Sequence, residues 1–261
     1  MIGYEEYENL ITDVVTLIED ELRLYVRGLI LYGSYHKLKK TGEEHLFIPG
    51  DSDLDFVLIV DTGYVTSSSK PYRRLSKVSE ILNPIFFEPL YSSIFDLTLV
   101  EYGDLPSTAC DLFNPIQCHE AAKGKVLFGK ANILQSFQFS DKTLRRTASV
   151  QIHSLYEGLR TAFFRRSFVG DQELLYLSAD TVLEIAHYLL TFRQHFGYVR
   201  LEVPDKFSDV YRGILDEQMA ECIRDSMKIR LGTKNQIIKK DFVLEALRFA
   251  RTANSYCREP F

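Results

Sequence analysis

The chain has 261 residues, 46% hydrophobic and 26% charged, with 14 Gly and 8 Pro, a composition that excludes disordered and fibrous classes. Its formal net charge of -5 weighs against a protein that holds duplex nucleic acid by displacing counterions. No apolar run approaches the roughly 20 residues that span a bilayer, and Glu5, Glu6 and Glu8 stand where a secretory signal is basic, so the expected location is the cytoplasm.

The charge is divided unevenly. Residues 1–140 hold 12 Lys+Arg against 20 Asp+Glu, and residues 141–261 hold 19 against 16. The acidic half is suited to cations. Four cysteines, Cys110, Cys118, Cys222 and Cys257, form no CxxC pair and read as reduced, with neither a zinc site nor a disulfide framework.

In chain order, residues 4–26 carry apolar positions at helical spacing (Tyr7, Leu10, Ile11, Val14, Val15, Ile18, Leu22), which predicts an amphipathic helix. Three apolar runs follow with the length of buried strands: 29–32, ended by Gly33; 54–60, between Gly50 and Gly63; and 94–100. Between the last two, 72–82 reads as a helix that stops near Asn83-Pro84, because proline disfavours helical geometry in the preceding residue. The polar cluster 66–69 reads as a loop. A helix over 116–123 and the segment 124–129 close the first half. This alternation of strands and helices predicts an α/β or α+β layer. Ser140-Asp141 carries N-cap chemistry, and four helices follow, over 141–168, 172–196, 207–229 and 239–256, forming a helical bundle. The expected domains are 1–138 and 139–261.

The chemistry is concentrated in 29–60, LILYGSYHKLKKTGEEHLFIPGDSDLDFVLIV. Gly33 offers backbone with no side chain, and Ser34 adds a hydroxyl at an expected helix N-terminus, together an anion-binding corner. Asp53 and Asp55 are two apart on a strand, so they share a face. Two carboxylates aimed at one point call for a cation, and Mg²⁺ is commonly held by one or two carboxylates together with phosphate oxygens. Asp96 interrupts the third apolar run, where a carboxylate is costly unless paired or metal-bound. Lys37 is the lysine nearest Ser34. Asp51 follows Gly50 and reads as turn, as does Asp61. The six histidines show no ligand spacing and receive no role.

Gly33-Ser34, then Asp53-Leu54-Asp55, then Asp96 resembles the hallmark of the DNA polymerase β-type nucleotidyltransferase superfamily. Gly124-Lys125-Val126-Leu127-Phe128-Gly129 is similar to the segment that closes the catalytic domain of its minimal and kanamycin-type members. The resemblance covers roughly residues 25–130. Lys37 and Leu38 stand where many members carry Arg and Gly, and the 18 residues between Ser34 and Asp53 make a longer loop than in compact members, a place for specificity. The helical half, notably 183–197, resembles HEPN-type or substrate-binding domains that accompany such enzymes. Arg230 has no histidine four to six residues on, which speaks against ribonuclease chemistry of the HEPN kind.

The resemblance implies a mixed sheet with flanking helices, followed by an all-α bundle. It implies transfer of a nucleoside monophosphate from a nucleoside triphosphate, expected to be ATP, to an acceptor hydroxyl, with pyrophosphate leaving. Asp53, Asp55 and Asp96 would be catalytic and hold two Mg²⁺, while Gly33, Ser34 and Lys37 would hold the phosphates. Glu157 and Glu184 are helical-half candidates for a general base. Expected partners are the triphosphate, a small-molecule or protein acceptor and a second copy of the chain, not nucleic acid. The alternative is a regulatory or antitoxin-like module that binds a protein partner and transfers AMP to it.

Overall fold

A computed structural model of the chain describes residues 3–44, 47–49, 52–61, 70–86, 94–102, 115–130, 133, 139–165, 170–232 and 241–258. Asp51, Cys110 and 66–69 lie outside the described residues. The chain divides into two compact units, Met1–Phe139 and Ser140–Phe261. Among the described residues no helix is long and apolar enough to cross a membrane, and Cys118, Cys222 and Cys257 form no disulfide there.

The first unit is a four-stranded mixed sheet with flanking helices. Helix α1 (Tyr4–Leu17) runs through a π turn (Ile18–Leu22) into β1 (Val26–Tyr32). The helical spacing therefore extends to Leu22 but not to residue 26, where the chain is already extended. Helix α2 (Gly33–Thr41) follows β1 directly, and β2 (Leu54–Val60), α3 (Lys70–Phe86), β3 (Phe95–Glu101), α4 (Pro115–Ala121) and β4 (Lys125–Gly129) complete the unit. The expected stop of α3 before Pro84 does not occur. Pro84 lies in the last turn, where the missing amide leaves the carbonyl four residues back, at exposed Glu80, open to water rather than buried without a partner.

The strand order is β3-β2-β1-β4. Strand β1 is antiparallel to β2 and to β4, while β2 and β3 are parallel. Period-two alternation gives the sheet two different faces. Leu29, Leu31, Leu54, Phe56, Leu58 and Val60 pack with α1, α2 and α3 through Tyr7, Val14, Tyr35, Leu38, Val78 and Leu82. The other face, Ile30, Tyr32, Val57, Ile59 and Val100, is covered by Cys118 and Ala121 of α4. Gly129, at φ +89°, pairs with Gly28, and an added Cβ would stand 2.1 Å from the Arg27 carbonyl oxygen, so only glycine allows this end of β4 to close on β1.

The second unit is helical: α5 (Asp141–Phe164), α6 (Asp171–Phe192), α7 (Val203–Val210), α8 (Glu217–Arg230) and α9 (Phe242–Tyr256). The Ser140 hydroxyl accepts from the Thr143 amide at 3.2 Å, capping α5 as its residue type predicts. Helix α6 is the core, with Val182, Ile185, Ala186 and Leu189 wholly buried, and the Tyr211 hydroxyl donates to the Leu189 carbonyl at 2.7 Å. The single helix expected over 207–229 is two. Gly213 adopts φ +74°, which breaks the helical path, and Asp216 starts α8 by accepting from the Gln218 amide at 3.1 Å.

Candidate metal centre

Three strand termini meet at one end of the sheet. Asp55 pairs in register with Tyr32, the last residue of β1, and on its other side with Asp96 of β3. Asp53 lies two residues before Asp55. One carboxylate oxygen from each of Asp53, Asp55 and Asp96 lies within 4.8 Å of the others. Asp55 is half-buried, while Asp53 and Asp96 are exposed. Asp96 thus sits at the open end of its strand, not in the buried interior that its apolar neighbours suggest. Unit charges at this separation repel by roughly 1 kcal/mol in water and up to roughly 4 kcal/mol near a protein surface. The donors are all hard oxygens, the set that Mg²⁺ and Ca²⁺ prefer, so the residues fit a divalent cation. Among the described residues this is the only group of three His, Cys, Asp or Glu side chains placed to hold an ion.

The positions of these carboxylates are set by the residues before them. The Leu54 amide donates to the Ile94 carbonyl at 2.6 Å, locking the openings of β2 and β3 together. Ser52 is fastened to Ile48, its amide donating to the Ile48 carbonyl at 2.8 Å and its hydroxyl accepting from the Ile48 amide at 3.0 Å. The Tyr7 hydroxyl donates to the Ser52 carbonyl at 3.2 Å. Phe47 anchors this stretch, 1% exposed and 4.9 Å, centroid to centroid, from both Tyr7 and Tyr35. The long loop before the aspartates is therefore tied to the core at its end. Neither Phe47 nor Ser52 belongs to a sequence motif, and the local signal for them is only the short apolar run Leu46-Phe47-Ile48.

Gly33 begins α2 at φ +69°, and a Cβ there would lie 1.8 Å from Asp55 Oδ2. The carboxylate thus rests on bare backbone at a helix N-terminus, where amides lack intrahelical partners. Ser34 follows in the first turn of α2 and Lys37 lies one turn on, both half-buried. Lys39 is engaged elsewhere, pairing with Glu8 at 2.5 Å. Asp61 lies at the other end of β2 and accepts from Arg27 Nε at 2.7 Å. In the second unit Glu157 pairs with Arg160 at 2.5 Å, Glu184 lies 3.9 Å from Arg200, and Arg230 pairs with Asp180 at 2.9 Å.

His36, on α2, is a residue the sequence left without a role. Burial and the charge of Lys40, with Lys125 adding to them, hold its pKa below the ordinary imidazole range, against a hydrogen bond to the Lys123 backbone that acts the other way. A lowered folded value means that the unfolded chain takes up protons first as pH falls. Stability is therefore lost below about pH 6.5, the unperturbed value. Thermal unfolding followed from about pH 7.5 to about pH 5.5 is expected to show a shallower loss for His36→Gln than for the unmodified chain; parallel slopes would exclude His36 as a contributor.

In comparisons with known proteins, no family model and no curated protein matches the chain.

Proposed function

We propose that the chain is a Mg²⁺-dependent nucleotidyltransferase of the DNA polymerase β type, its first unit catalytic and its second a HEPN-like or substrate-binding bundle. The observation that carries this reading is the convergence of Asp53, Asp55 and Asp96 beside Gly33, at a helix N-terminus. An acidic cluster alone suits many cations; one set against bare helix-start amides also suits the phosphates that a cation brings with it.

In this reading Asp53 and Asp55 would hold the ion that accompanies the triphosphate, and Asp96 would hold a second. When bound, the ions neutralise phosphate charge and acidify the attacking hydroxyl. The amides at Gly33 and Ser34 and the Lys37 ammonium hold the β- and γ-phosphates, keeping the α-phosphorus in line with the acceptor. The acceptor hydroxyl passes its proton to an Asp96 carboxylate oxygen, its oxygen bonds to the α-phosphorus, and the bond to the β-phosphate bridging oxygen breaks. Products are the nucleotidylated acceptor and pyrophosphate.

The test is equilibrium titration of the full chain with an ATP analogue blocked at the α,β-bridge. Saturable binding that requires Mg²⁺ is expected, and no binding in the presence of Mg²⁺ overturns the reading. With ATP and a pool of small molecules or proteins as acceptor, label from the α-phosphate is expected to transfer. Transfer of γ-label instead would mark a kinase.

A further inference from the structure

Where β1 begins and β4 ends, the first unit carries a hollow of about 770 Å³, within the range of small-molecule sites, roughly 300–1,000 Å³. Val26 lines it, while Tyr32, at the other end of β1, pairs with Asp55. At about 3.3 Å per residue the strand separates the hollow from the aspartates by roughly 20 Å. Its apolar walls include Val126, Phe128 and Ile133, and Tyr102, just after β3, adds a half-exposed aromatic ring. Phe128 packs against the core on one face of the sheet, Val126 and Ile133 against the core on the other, so the fold itself fixes these walls. The β1–β4 pair beside them is Gly28–Gly129, two residues with no side chain to fill the space. Three cations, Arg23, Arg27 and Lys130, line the hollow against one acid, Glu19. Arg27 is engaged by Asp61, whose carboxylate accepts from its Nε at 2.7 Å. Arg23 and Lys130 are exposed and, among the described residues, form no ion pair. Three cations against two carboxylates leave one positive charge unbalanced.

We propose that this hollow binds a small organic monoanion with an apolar or aromatic body, such as an aromatic carboxylate. The walls supply the driving force, because an apolar body leaves water on entering. Exposed charges are screened by salt and hold little by themselves, so an inorganic anion, which forgoes the walls, binds weakly. The cations supply the orientation: the Arg23 guanidinium matches a carboxylate with two parallel hydrogen bonds, and the Lys130 ammonium adds a point charge. One unbalanced positive charge suits one negative charge. A triphosphate would bring several and leave most of them opposite Glu19 and Asp61 without a partner, so this is not a second site for the nucleotide.

The experiment titrates the full chain with 1-anilinonaphthalene-8-sulfonate, a fluorescent monoanion, and with N-phenyl-1-naphthylamine, the same body without the charge. Saturable binding of the anion at one site is expected, about tenfold tighter than that of the neutral dye at low salt. Arg23→Gln/Lys130→Gln should erase that difference by weakening the anion about tenfold and leaving the neutral dye unchanged. Tyr102→Ala should weaken both dyes. 2-Naphthoate should displace the bound anion, and tripolyphosphate should not. Near-ultraviolet circular dichroism confirms that each variant is folded, and if the double variant is not, Tyr102→Ala and the two competitors carry the test. No saturable binding by the unmodified chain, equal affinity for the two dyes, full anion binding by either folded variant, or displacement by tripolyphosphate but not by 2-naphthoate would overturn the proposal. None of these outcomes bears on the aspartates at the other end of β1, which Asp55→Asn tests separately.

Discussion

Asp55→Asn is expected to abolish Mg²⁺-dependent nucleotide binding, weakening it by at least about 100-fold, or roughly 2.7 kcal/mol, while the fold persists. Asp55 is the central member of the cluster, paired in register with Asp96 and two residues from Asp53. Replacing its charge with an amide turns one carboxylate of the proposed cation site into a neutral, weaker donor and leaves the two exposed carboxylates of Asp53 and Asp96. The same change relieves repulsion among three acids, so without metal the variant should melt no lower than the unmodified chain. Calorimetry distinguishes the effects. Mg²⁺ should raise the melting temperature of the unmodified chain, because a ligand that binds only the folded state stabilises it, and should leave that of Asp55→Asn unmoved. Equal Mg²⁺ stabilisation of the two proteins would rule out a cation at this position.

Gly33→Ala should be equally damaging to binding and, unlike Asp55→Asn, also costly to stability. At φ +69° an alanine incurs about 1–2 kcal/mol of left-handed strain. Its methyl would also stand 1.8 Å from Asp55 Oδ2 and 2.6 Å from Asp55 Cγ, a clash relieved only by turning the carboxylate away or moving the start of α2. Either displacement separates Asp55 from Asp53 and Asp96. Gly33→Ala/Asp55→Gly provides the check, since with the carboxylate gone the clash disappears. Chemical denaturation should then show the double variant less destabilised than the two single changes summed, with metal binding still absent. Retention of full Mg²⁺ binding by Gly33→Ala would show that the glycine does not seat the carboxylate.

Local pattern was legible wherever burial and periodicity agreed. The apolar run 54–60 coincides with β2, and its flanking aspartates were recognisable because alternation alone places Asp53 and Asp55 on one face. Strand β1 begins at Val26 rather than Leu29 because Arg27, exposed, and Gly28 interrupt the apolar signal. The run 94–100 is shifted by one residue to β3, Phe95–Glu101. The helix expected over 207–229 concealed a break at Gly213, since apolar spacing in α7 and α8 continues across the turn when read without the backbone angle.

What the residues settled unaided was the material: an acid in the strand β2 with a second acid two residues before it, a glycine-serine pair at the start of a helix, a third acid in an apolar run, and a helical second half. Only folding decided that Asp96 stands beside Asp55, because parallel pairing of β2 with β3 joins segments about forty residues apart, and nothing local to either strand specifies its neighbour. The same holds for Phe47 pinning the loop against Tyr7 and Tyr35. Each of these depends on which surfaces exclude water together, a property of the assembled core rather than of any stretch of chain.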